Sequence, residues 1–134
     1  MGDIKRLYVD ANVLLRFLLG TDEKAVVEVE KYLDRSNKGL VELHLISEII
    51  PEIEYVLRKV YKVQRDDLAD RLLKLLRIDH VVIESRDLWM RAFELYPKVN
   101  IDLMDIFLFV KAKSSLGEVL SFDKDFKKLV KFDK

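Results

Sequence analysis

Short apolar runs alternate with helical stretches along all 134 residues, and this alternation constrains the fold more than any other feature of the chain. The first unit sets the pattern. Leu7-Tyr8-Val9 runs into Asp10, and Ala11-Asn12-Val13-Leu14-Leu15-Arg16 opens an apolar helix directly behind it. Strands separated by helices pair in parallel, with the helices covering the sheet. In such sheets ligands bind beyond the carboxyl ends of the strands, so Asp10 stands where this class of fold places its chemistry.

Continuing the pattern predicts strand 5–10, a helix over 11–19 stopped by Gly20, and an amphipathic helix over 22–36. Gly39 marks a turn into strand 41–46, and Ser47 opens a helix to about 61, with Pro51 in or just before its first turn. A helix over 66–77 sets Leu68, Leu72, Leu73 and Leu76 on one face. Strand 80–84, helices 86–96 and 102–115, strand 118–121, a short helix 124–130 and a final strand complete the expectation. The class is α/β and the organisation a single domain over 1–134. With no cysteine, a disulfide framework and a thiolate metal site are both excluded. There is no apolar leader at the N-terminus, and no stretch approaches the ~18 apolar residues of a membrane span, so a cytoplasmic protein without a membrane partner is expected. The 24 basic residues equal the 24 acidic ones, which argues against a passive basic coat for nucleic acid. Local basic clusters nevertheless exist at Arg58, Lys59, Lys62 and Arg65, and at Lys124, Lys127, Lys128 and Lys131.

Acidic residues recur at four stations. Asp10 ends the first strand, where it could equally cap the following helix; Asn12, one turn further in, is less easily explained as a cap. On the helix 48–61, Glu52 and Glu54 flank the apolar stripe of Ile49, Ile53, Val56, Leu57 and Val60, one on each side. At ~100° per residue periodicity does not choose between them. The helix beginning near Asp102 is apolar almost all round, which predicts a buried helix, yet Asp102 and Asp105 sit three apart on one face near its start. Capping accounts for one of these carboxylates better than for two. Two partly buried carboxylates repel unless a cation balances them, and no basic residue lies between Lys98 and Lys111. Ser121-Phe122-Asp123-Lys124-Asp125 follows the expected strand 118–121, so Asp123 leaves a strand end as Asp10 does. Oxygen donors without cysteine suit Mg²⁺ or Mn²⁺, and such an ion activates water against a phosphodiester. His44 and His80 fall within expected strands and receive no role.

In this order the stations resemble the PIN-domain ribonucleases: Val9-Asp10-Ala11-Asn12-Val13-Leu14-Leu15-Arg16, then Glu52-Ile53-Glu54-Tyr55-Val56-Leu57, then Ile101-Asp102-Leu103-Met104-Asp105, then Ser121-Phe122-Asp123-Lys124-Asp125-Phe126. The likeness is greatest to the toxins of VapBC toxin–antitoxin systems and covers nearly the whole chain. It implies a three-layer α/β/α fold with a central parallel sheet of four to five strands and acids at its carboxyl edge. It assigns Asp10, Glu52, Asp105 and Asp123 as catalytic, metal-binding acids, Asn12 and Ser121 as polar helpers, and Asp102 as a secondary acid. The resemblance, not periodicity, selects Glu52 over Glu54. Ala11 departs from the pattern, since a threonine usually stands at that position. The implied activity is cleavage of RNA with Mg²⁺ or Mn²⁺ by a homodimer that a cognate antitoxin silences. Helices 22–36 and 48–61 are expected to form the groove that receives an apolar antitoxin segment.

Two other readings compete. A PIN-like module that binds RNA or protein without cutting lacks metal-dependent cleavage. A phosphate-handling doubly wound domain fits poorly, because strand 80–84 leads into Glu84-Ser85 rather than a phospho-accepting Asp, and Asn12 stands where a phosphatase needs a second Asp.

Overall fold

The computed structural model describes residues 3–133. Three strands, β1 (Lys5–Tyr8), β2 (Val41–Leu45) and β3 (Val82–Ile83), form a parallel sheet in the order β1-β2-β3. Leu7 pairs with Leu43 and Leu45 with Ile83 in register. Among the described residues seven α-helices accompany it: α1 (Ala11–Leu19) and α2 (Glu23–Asn37) between β1 and β2, then α3 (Ile49–Lys59) and α4 (Arg65–Leu76) between β2 and β3. After β3 come α5 (Arg86–Leu95), a 3₁₀ turn at Tyr96–Lys98, α6 (Leu103–Ser114) and α7 (Asp125–Phe132). Among the described residues no helix is long and apolar enough to cross a membrane.

Local chemistry explains the element ends. Gly20 adopts φ 71°, the left-handed conformation, and its N–H donates to the Arg16 carbonyl, closing α1 as a glycine stop does. Asp22 caps α2 by accepting the Ala25 N–H at 3.2 Å. Pro51 is tolerated because it stands in the first turn of α3, where its missing N–H has no helical partner to lose. The core is continuous from Val41, Leu43 and Leu45 on β2 through Ile50, Ile53 and Leu57 on α3 to Leu68, Leu72, Trp89, Phe93 and Ile106.

Three expectations change. The run 118–121 pairs with no strand, and no final strand forms among the described residues, so the sheet has three strands and not four or five. Local turns absorb its ends instead: Gly117 N–H donates to the Ala112 carbonyl at 2.7 Å, and Asp123 N–H to Ser121 Oγ at 3.0 Å. Leu116, Leu120 and Phe122 are consequently exposed. Along β2, buried Val41, Leu43 and Leu45 alternate with half-exposed Glu42 and His44, the pattern of a sheet packed firmly on one face only. The other face carries Tyr8 stacked on His44 (centroids 4.8 Å apart), not a complete second helical layer. Lastly, α6 is not buried all round, since Met104 and Leu108 face outward.

Candidate functional site

Each of the four predicted acids lies at the N-terminal end of a helix, and those helices pack in series: α1 on α3, α3 on α6 and α6 on α7. Helix N-termini carry partial positive charge and unpaired N–H groups, so they favour carboxylates in the ionised form. Asp10 is the N-cap of α1 and accepts the Asn12 backbone N–H at 3.3 Å. Its capping role is therefore real, and it leaves one carboxylate oxygen uncommitted. Asp10→Ala should cost about 1 kcal/mol in stability, while Asp10→Asn, which also caps, should cost a few tenths at most. Urea unfolding of both variants checks this, and equal losses would remove the cap from the account.

Glu52 sits exposed in the first turn of α3. Glu54, two residues on, is only 4% exposed. Its Oε2 accepts the Tyr96 hydroxyl at 2.5 Å and Arg58 Nε at 2.7 Å. Glu54 is thus committed to internal partners, whereas Glu52 is exposed. The Tyr96 hydroxyl is pushed above its usual range by burial first and by Glu54 second, while the hydrogen bond to Glu54 raises Arg58.

Asp102 has the backbone position of the α6 N-cap but makes no capping hydrogen bond with its side chain. Asp105 lies in the first turn of α6 and is held above the ordinary carboxylate range, by burial first and then by the negative charges of Asp102, Asp123 and Asp125. No cation offsets these. Arg58 and Arg65 bond elsewhere, Arg58 to Glu54 and Arg65 to the Tyr96 and Ile101 carbonyls. Asp123 accepts the Asp125 N–H at 2.9 Å at the start of α7, and Ser121 Oγ accepts the Asp123 N–H, so Ser121 shapes the turn that presents Asp123.

The structure brings Asp105 together electrostatically with Asp102, Asp123 and Asp125, while Asp10 and Glu52 are not among the charges acting on it. Among the described residues, no three acidic or histidine side chains stand close enough to hold one ion. The donor chemistry fits a hard divalent cation, since carboxylate oxygens are crowded without a counter-charge, but the spacing is open. Asn12 is exposed in the first turn of α1. His44 pairs with Glu42 and His80 with Ser36, consistent with histidines outside the site. The basic cluster read from the sequence divides, a split that sequence reasoning missed: Arg58 and Arg65 bond inward. Lys59 and Lys62 stay exposed, as do Lys124, Lys127 and Lys131 beside Asp123.

Residues 7–131 match the family model of the PIN domain. The chain belongs to the PIN-domain family. It is also similar to a VapC ribonuclease of Aquifex aeolicus (strain VF5), with 33% identity over 122 residues that cover 90% of each chain. No solved structure matches it. Within this PIN domain the matched span includes Asp10, Glu52, Asp105 and Asp123, together with Asn12, Asp102 and Ser121. An apolar cleft of about 250 Å³ runs beside Asp10, lined by Leu7, Tyr8, Val13, Phe17, Val29 and Tyr32. It lies between β1, α1 and α2. The groove expected between the second and third helices is not of that form, because α1 packs against both α2 and α3.

Proposed function

We propose that this PIN domain is a metal-dependent endoribonuclease and the toxin of a toxin–antitoxin pair. The observation that carries the reading is Asp105, a carboxylate on which Asp102, Asp123 and Asp125 act with no cation among the offsetting charges, on α6 within the packed series of helices whose N-termini present four acids. Asp10, Glu52, Asp105 and Asp123 would hold Mg²⁺ or Mn²⁺. When bound, such an ion activates water and stabilises charge at the phosphodiester. The chain's own residues do the rest. Exposed Asn12 offers its amide to a phosphate oxygen, Asp102 adds negative charge beside Asp105, and Ser121 fixes the turn of Asp123. Lys124, Lys127 and Lys131 draw the RNA backbone towards Asp123, so binding weakens with salt. The chain acts as one domain in the cytoplasm. It pairs as a homodimer through exposed apolar residues such as Met104 and Leu108, and the cleft beside Asp10 accepts an apolar antitoxin segment.

Incubating the protein with single-stranded RNA and Mn²⁺ should yield discrete fragments, and EDTA should abolish them. The open spacing of the acids favours a second reading, a module that binds RNA without cutting it. RNA retained but left intact at every metal concentration would establish that reading instead.

A further inference from the structure

Residues 96–101, between α5 and α6, lead straight into the acidic pair at 102 and 105, and only the 3₁₀ turn at Tyr96–Lys98 interrupts their irregular path. Such a segment has backbone carbonyls without helical or sheet partners, and buried ones must find others. Arg65, the first residue of α4, supplies two of them. Its Nε donates to the Tyr96 carbonyl at 3.1 Å and its Nη2 to the Ile101 carbonyl at 2.8 Å, so one planar fork grips both ends of the segment. The guanidinium carbon also lies 3.7 Å from the centroid of the Tyr96 ring.

The chain of contacts continues to a second acidic station. Tyr96, completely buried, donates its hydroxyl to Glu54 Oε2, and Glu54 sits on α3 two residues after Glu52. Arg58, one turn further along α3, donates to the same oxygen. Glu54 is therefore a charge with two internal donors, and the group as a whole carries two guanidiniums against one carboxylate.

We infer that Arg65 is a positioning residue for the acidic site: through Tyr96 and Glu54 it fixes the entry to α6, and hence Asp105, relative to the helix that carries Glu52. It touches no reacting group itself. The inference rests on the metal-site reading above. A clamp that merely stabilised the fold would lower the melting temperature without altering how the acids share an ion, whereas outer residues that orient metal ligands typically change affinity by ~10–100-fold.

The test compares wild type, Arg65→Lys, Tyr96→Phe and Asp105→Asn for Mn²⁺ affinity, read from the electron paramagnetic resonance signal of free Mn²⁺, with melting temperatures measured alongside. Arg65→Lys keeps the charge but loses the fork, and its Mn²⁺ affinity should fall about tenfold. Tyr96→Phe keeps the ring under the guanidinium and removes only the link to Glu54, so a smaller fall of roughly threefold is expected. It carries the test if Arg65→Lys fails to fold. Wild-type affinity in both folded variants, with lowered melting temperatures, would overturn the inference while leaving the nuclease reading intact, provided Asp105→Asn still loses the ion. Wild-type protein that takes up no Mn²⁺ would overturn both.

Discussion

Asp105→Asn is expected to lower RNA cleavage by roughly 10²–10³-fold, the size of loss seen when one preorganised electrostatic contact at a reacting centre is removed. The fold should hold or gain stability in the same variant. Burial, and then the charges of Asp102, Asp123 and Asp125, raise the folded-state pKa of Asp105 above its ordinary value of 3.8. The folded protein therefore keeps this proton to higher pH than the unfolded chain does. Stability falls as pH rises through the interval from 3.8 to the raised value, and the deficit is complete above it. Asparagine carries no such proton. In metal-free buffer the variant should thus melt at or above the wild-type temperature at pH 7, with the difference vanishing as the pH falls below the ordinary carboxylate range. Thermal unfolding between pH 3.5 and 7.5 measures this. A variant that melts clearly lower at pH 7 would make Asp105 a structural contact of the α6 N-terminus.

Trp89→Ala is expected to give the largest loss of stability, about 3–5 kcal/mol, or roughly 10 °C or more in melting temperature. Trp89 on α5 is 1% exposed and lies stacked on Phe107 of α6, with ring centroids 3.9 Å apart. Its indole N–H donates to Ser47 Oγ at 2.8 Å, near the start of α3. One side chain therefore wedges between the approaches to two helices that carry acids. Truncation leaves a cavity as well as an unpaired hydroxyl. Trp89→Phe should cost less, because it retains most of the ring contact and gives up only the hydrogen bond to Ser47. Urea unfolding of both variants orders them, and a loss below about 1 kcal/mol for alanine would contradict a tightly packed α5–α6 contact.

What was legible in the sequence was whatever neighbouring residues decide. Gly20 ends α1 because it alone enters the left-handed region without cost, and Asp22 and Asp10 cap the helices that follow them. The alternation of elements, the parallel sheet and the first-turn positions of Glu52 and Asp105 follow from such local rules. What was not legible depends on partners far along the chain. Glu54 is buried because Tyr96, 42 residues away, donates to it. Arg65, which the sequence groups with the basic residues Arg58, Lys59 and Lys62, turns inward to the carbonyls of Tyr96 and Ile101. The run 118–121 has the composition of a strand, but a strand is completed by an edge that receives it, and the turns at Gly117 and Asp123 take up the flanking backbone groups instead. The apolar circumference of α6 misleads in a similar way: Met104 and Leu108 satisfy the pattern of a buried helix and still lie outside. For the site, the order of the acids was readable, whereas their separation was not, since distance between elements is a tertiary quantity.

A crystal structure of the protein grown with Mn²⁺, with the ion located by its anomalous scattering, tests the central claim most directly. The account predicts a peak coordinated by oxygens drawn from Asp10, Glu52, Asp105 and Asp123, with Asp102 outside the coordination sphere. A peak held by Asp102 and Asp125 without Asp10 or Glu52, or no ordered ion at all, would contradict it.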